Sequence, residues 1–443
     1  MTRSAAMLLA TVCWLSSAPA NGGLQFELKA GATAFGQFSV ESITARQADT
    51  AIVEINEIAH ARFGRLGSLA LRCPFQPRAR CSEGRLTWNI ESASPLVFEF
   101  ERRAGQFTLT GDDGGRIRYR LHGQDHAELS IRDVPAAWVP SPLLAEAGLA
   151  DLSGSFSGTL DLDQDRIQGG LQIGQLAFDT PDGLYAGAGL ALDLDFDWLA
   201  DEARLRLDAN WSAGELLLGP AYLPSPEASF ALELEARKLR QDGWRIERLA
   251  LEQAQSISLI VDGGILAGDP LGVAALDLEI EEADLGSLWR QGLSSLAGTR
   301  GWGQLDPAGR LAGRMRIEDG SVVSAGLRLS DVTIADGADR IAITGLGAWL
   351  GWDNPGQSLE LGANWQSARL LRIPLGASAV ALRTDGSGTL ALIDSFRLPV
   401  LDGALVVERL EWHDWARVNR QLLVDARLEP VDLSALTQTL GWT

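Results

Sequence analysis

Apolar and polar residues alternate with a period of two along much of this chain, the pattern of strands that keep one face dry and the other wet. In LALDLDFDWLA the apolar set is Leu190, Leu192, Leu194, Phe196 and Trp198, and the polar set is Asp193, Asp195 and Asp197. The same alternation runs through Leu205, Leu207, Ala209 and Trp211, then Phe230, Leu232 and Leu234, Leu276, Leu278 and Ile280, and Leu311, Met315 and Ile317. Glycine, proline and aspartate turns separate these segments, and few stretches show helical periodicity. The pattern predicts a mainly β, antiparallel protein. Its apolar face must be covered by a second sheet, by closure on itself, or by a ligand that is itself apolar.

The chain also repeats itself at about 150 residues. Leu205, Leu207, Ala209 and Trp211 recur at an offset of 154 as Leu359, Leu361, Ala363 and Trp365, and Trp198 recurs as Trp352. Gly154 and Gly158 match Gly309 and Gly313 at 155; Leu171, Ile173 and Phe178 match Leu327, Leu329 and Ile334 at 156. A period this long implies units that are each a sheet of many strands sharing one apolar surface. Each restart reads as a strand followed by a short helix opened by an aspartate N-cap, with Asp284, Leu285 and Leu288 matched by Asp432, Leu433 and Leu436. The expected organisation is a leader at 1–20, an opening β unit at 21–126 and repeats at 127–273 and 274–421. Residues 422–443 read as the start of a third repeat, cut short or completed by a partner.

The N-terminus has the form of a secretion signal. Arg3 supplies the positive end, Ala5 to Leu15 the apolar run, and Ala18-Pro19-Ala20 the small-residue cleavage site. Cleavage is the expectation, with a retained membrane anchor as the other reading. In an exported chain Cys73 and Cys81 read as one disulfide closing a small loop. The net charge of −20 argues against nucleic acid as a partner, because nothing here would neutralise a run of phosphates.

Candidate chemistry is sparse. His122 and His126 flank a Gly-Gln-Asp turn, which reads as a hairpin and not a metal site. Asp161, Asp163 and Asp165 begin like a calcium loop, but Arg166 stands where glycine is needed and Gln172 where the bidentate acid belongs. No nucleophile elbow, zinc-protease or phosphate-loop motif occurs, so the expectation is a protein that is not an enzyme and carries no cofactor or metal. Trp198, Trp211, Trp352 and Trp365 share the apolar parity of their strands, which favours wall packing over sugar stacking.

Export, long amphipathic strands, turns such as LSGSFSG and a short helix at each restart together resemble the AsmA-like group. This is the repeating β-groove superfamily of Gram-negative envelope proteins, with TamB-, YhdP- and YdbH-like members. The resemblance covers roughly 127–443 and rests on texture and period. It implies an elongated antiparallel sheet curled into an open hydrophobic groove in the periplasm. It also implies phospholipid acyl chains as cargo between inner and outer membranes, with inner- or outer-membrane protein partners. The residues expected to line the groove are Leu192, Leu194, Phe196, Trp198, Leu205, Leu207, Trp211, Leu359, Leu361 and Trp365. The rival reading is a non-catalytic envelope scaffold with a closed β-sandwich core that binds a protein partner.

Overall fold

A computed structural model describes residues 26–437, apart from short stretches at 31–32, 36–37, 48–49, 61–63, 75–79, 89–95, 102–104, 124, 140–143, 146, 240–242, 268–271, 299–300, 338–339, 355–357, 385–388, 414–420, 432–433 and 435–436. The expected leader at 1–20 and Asp432, Leu433 and Leu436 lie outside the described residues. So do the side chains of Cys73 and Cys81, and with them the expected disulfide.

The chain is mainly β and antiparallel, as the alternation predicts, and it forms two compact units. The first takes residues 1–201 and 211–218, the second residues 202–210 and 219–443. Unit 1 begins with β1 (Phe26–Ala30), β2 (Thr33–Phe35), β3 (Phe38–Gln47), β4 (Thr50–His60), β5 (Gly64–Pro74) and β6 (Arg80–Trp88). It continues with β7 (Leu96–Glu101), β8 (Gln106–Thr110), β9 (Arg116–His122), β10 (His126–Pro135), β11 (Asp151–Leu162), β12 (Arg166–Asp179) and β13 (Tyr185–Leu199). From β3 onward each strand pairs with the next, a meander that needs only tight turns. Strand β14 (Arg204–Leu218) is divided between the units.

Unit 2 holds β15 (Ala221–Leu223), β16 (Phe230–Leu239), β17 (Gly243–Gln253), β18 (Ile257–Ala267), β19 (Gly272–Asp284), β20 (Leu305–Glu318), β21 (Ser321–Asp336) and β22 (Ile341–Asp353). Beyond them lie β23 (Ser358–Trp365), β24 (Ser367–Leu370), β25 (Ile373–Leu375), β26 (Ser378–Thr384), β27 (Leu390–Leu392), β28 (Phe396–Val400), β29 (Gly403–His413) and β30 (Gln421–Leu428). β22 pairs with β23 along one half and β24 along the other; β29 does the same with β27 and β28. Among the described residues β30 pairs only with β29, and all of its residues are exposed.

The repeat is visible in backbone irregularities as well as in side chains. Gly154 and Gly309 have φ of +118° and +127°, and both sit at a bulge opposite a non-glycine residue at positive φ, Gln175 (50°) and Asp331 (52°). A Cβ on Gly154 would stand 2.8 Å from Leu176 Cα, and one on Gly309 2.7 Å from Val332 Cα, so neither site admits a side chain without movement. β12 against β13 and β21 against β22 then shift register at matching positions, near Leu176 and Val332. Identical bulges 155 to 156 residues apart mark two copies of one strand pattern.

The expected helix after β19 is present. Asp284 Oδ1 accepts from the Ser287 N–H at 2.7 Å and caps α1 (Leu285–Leu288), which runs on through a π turn kinked at Gly292 to α2 (Ser294–Gly298). At the first restart the described residues hold a 3-10 turn at Ala136–Trp138 and helical residues 144–145.

One closed hydrophobic cluster stands out. Val40, Ile55, Leu86, Leu96, Phe98, Leu109, Val134 and Trp138 pack together in unit 1, each less than a tenth exposed. The core thus draws on strands as late as β10, and the Trp138 indole donates to Asp113 Oδ2 at 3.0 Å.

Candidate functional site

Register turns the alternation of single strands into rows that run across the sheet. In unit 1 one row passes from Phe98 through Leu109, Ile117, Ile131, Gly158 and Leu171 to Leu194. The neighbouring row joins Phe100, Phe107, Tyr119, Leu129, Leu160, Gly169 and Phe196. Flanking rows end at Trp198, through Leu162 and Ile167, and at Leu192, through Phe156 and Ile173. No charged side chain interrupts these rows. The Tyr119 phenol has its pKa raised by burial, the response of an ionisable group on a surface of low polarity.

Coverage changes along the rows. Phe98 and Leu109 are 6% and 8% exposed, sealed in the closed cluster. Further on, Leu171, Ile173, Leu192, Leu194, Phe196 and Trp198 are only half-buried, and Ile167 is exposed. One continuous apolar face is therefore closed at one end and partly open at the other.

Unit 2 is built the same way. One row runs Leu234, Leu249, Val261, Leu278, Met315, Ala325, Trp352, Leu359. A second runs Leu232, Leu251, Leu259, Ile280, Gly313, Leu327, Leu350, Leu361, Leu382, Leu392. Most of these side chains are half-buried; Val261 and Leu359 are buried.

The ten expected groove residues are therefore distributed as follows. Leu192, Leu194, Phe196 and Trp198 share the face of unit 1, and Leu359 and Leu361 share the face of unit 2. Leu205 and Leu207, on the unit 2 part of β14, and Trp211 are half-buried. Trp211 Nε1 donates to Ala213 O at 2.7 Å and Trp365 Nε1 to Gly376 O at 3.0 Å. Both indoles spend their one donor on backbone carbonyls.

The opposite face is wet and laced with cross-strand ion pairs. Arg166 bonds Asp197 through two nitrogens at 2.8 Å, and this raises the arginine's pKa. Arg314 bonds Glu279 at 2.7 Å, and Arg397 bonds Glu429 at 2.6 Å. Asp193 and Asp195 are exposed on this side, as the alternation predicts.

The histidines form the expected hairpin: β9 and β10 pair with His122 opposite His126. His126 Nδ1 lies 2.7 Å from Asp163 Oδ1, and His122 Nε2 lies 3.4 Å from Glu128. Asp163 and Asp165 sit in the turn joining β11 to β12, closed by Asp163 N–H donating to Arg166 O at 2.8 Å. Among the described residues no group of three or more His, Cys, Asp or Glu converges as metal ligands would. Among them, too, no helix is long and apolar enough to cross a membrane.

One pair escapes the alternation. Asp336, at the end of β21, has the apolar parity of Val332 and Ile334, and its side chain is 1% exposed. Arg340 Nε donates to its Oδ2 at 2.6 Å. Parity counted from Leu327 and Leu329 would put Asp336 on the wet face; the bulge at Asp331 reverses it. The odd interval from Leu329 to Ile334 is the sequence's trace of that reversal.

No family model, curated protein or solved structure matches this chain.

Proposed function

We propose that the chain is a periplasmic, non-enzymatic protein of the AsmA-like kind that binds phospholipid acyl chains along its apolar rows and conducts them between inner and outer membranes. The observation that carries this reading is the partial cover of rows that continue out of a closed core. Side chains such as Leu194 and Phe196 are withdrawn from water without being sealed against protein. An acyl chain laid on such a face completes its cover, at about 0.8 kcal/mol per buried methylene. Rows that repeat strand after strand offer many near-equivalent positions, so a chain can slide without crossing a deep well. Movement of this kind needs no nucleophile, base or metal. Membrane proteins at either end are the partners that the reading requires.

The test is mass spectrometry of lipids extracted from protein purified out of periplasm without detergent. Near-stoichiometric phospholipid is expected, and it should be lost in a Leu194→Asp/Leu207→Asp variant that keeps its circular dichroism spectrum. Lipid-free wild-type protein would reject the reading in favour of the closed envelope scaffold.

A further inference from the structure

The apolar face of unit 2 ends on the Asp336–Arg340 pair. That pair borders a cavity of about 400 Å3 at the tips of β20, β21, β22 and β24, within the range of small-molecule sites. Its apolar wall includes Trp302, Leu305, Leu370 and Leu371. Trp302, Leu370 and Leu371 are 52%, 50% and 61% exposed, a cluster of large apolar side chains left open beside a charge. Leu370 pairs with Ile341 on the apolar parity of β22, so the cavity is continuous with the rows.

Arg340 is poised to serve a ligand. The buried carboxylate of Asp336 holds Nε, which orients the planar guanidinium. The other N–H donors sit on the terminal nitrogens of a side chain that is 56% exposed at the cavity's border. A planar donor fork suits a phosphate or carboxylate. The repeat shows that the sheet itself does not require the pair. At an offset of 156, Asp336 and Arg340 correspond to Thr180 and Leu184.

We propose that this cavity seats the oxyanionic head of an amphiphile whose acyl chain lies along the apolar rows of β20 to β22, with Arg340 as head-group ligand and Asp336 as positioning residue. The proposal rests on the lipid-binding reading above and adds the place of the head and the residues that hold it.

Calorimetry on the full chain, below micelle-forming concentrations, tests it with three probes: dodecyl phosphate, dodecyl maltoside and inorganic phosphate. Dodecyl phosphate should bind more tightly than the maltoside, and inorganic phosphate should not register. Arg340→Gln should weaken dodecyl phosphate roughly tenfold or more, the loss of a charge-assisted hydrogen bond, and leave the maltoside unchanged. Because that variant removes the arginine from beside a buried carboxylate, the double variant Asp336→Asn/Arg340→Gln is measured beside it. It keeps a neutral pair, should melt close to wild type and should show the same loss. Equal affinity for both alkyl probes in all three proteins overturns the head-group site while leaving the apolar-face reading standing. Binding of neither alkyl probe overturns both. Inorganic phosphate binding as tightly as dodecyl phosphate would make the cavity a simple anion site and overturn the amphiphile.

Discussion

At the scale of single residues, Gly309 shows how a backbone position constrains side-chain choice. It combines φ of +127° with a neighbouring Cα that a Cβ would approach to 2.7 Å. Gly309→Ala should therefore cost about 1–3 kcal/mol in denaturant unfolding. Gly326→Ala, where an added Cβ meets nothing within 4 Å, should change stability by less than about 0.5 kcal/mol. Charged residues give a second prediction. The Arg409 side chain holds the Glu411 carboxyl below its ordinary pKa, and Arg397 does the same for Glu429. A carboxylate depressed on folding stabilises above its unfolded pKa, about 4.3, and that stabilisation is lost as pH falls through the folded value. Thermal midpoints should thus be flat above about pH 5 and fall below about pH 4. The fall should be smaller in Arg397→Gln, which has less to lose, and in high salt, which screens exposed pairs.

At the scale of elements, strand pairing decides which parts of the sheet open first. β30 makes backbone pairs with β29 alone among the described residues, and Leu422, Leu423, Val424 and Leu428 are 61%, 46%, 47% and 65% exposed. β20 and β21 are paired on both sides. Native-state hydrogen exchange should find β30 amides among the fastest strand amides of unit 2, and those of β20 and β21 among the slowest. Protection of β30 equal to that of β21 would contradict this ordering. The helix after β19 belongs to the same scale: Asp284 ends a strand and begins a helix in one residue. That was legible in advance, because aspartate is a favoured N-cap and stands here before a short apolar run.

At the scale of the whole molecule, two compact units carry the same device, apolar rows on one side and cross-strand ion pairs on the other. The apolar side is common to both copies of the repeat, while the charged side differs between them. By strand register Asp193 and Asp195 of the first stand where the second has Trp349 and Gly351, and Trp352 takes the place of Phe196 and not, as the offset of 154 suggests, of Trp198. A shared apolar surface fits a task that both units perform, which is the logic of the proposed acyl path. The lipid-extraction experiment is the prediction at this scale. Variants in either unit should reduce bound lipid, since Leu194 belongs to one and Leu207 to the other.

The sequence alone determined the strands, the antiparallel class, the repeat and the division of side chains into two faces. All of these follow from local alternation and turn chemistry, which act over a few residues. It placed Leu192, Leu194, Phe196 and Trp198 on one face, and the His122–His126 and Asp163–Arg166 turns in hairpins. Only the tertiary structure decided how far that face is covered. Alternation makes Phe98 and Leu194 equivalent, yet one is sealed in a core and the other is half-buried, because cover depends on strands far away in the chain. Only the structure, too, set Asp336 on the dry side. A bulge adds one residue to a strand, and one residue exchanges the faces of everything beyond it.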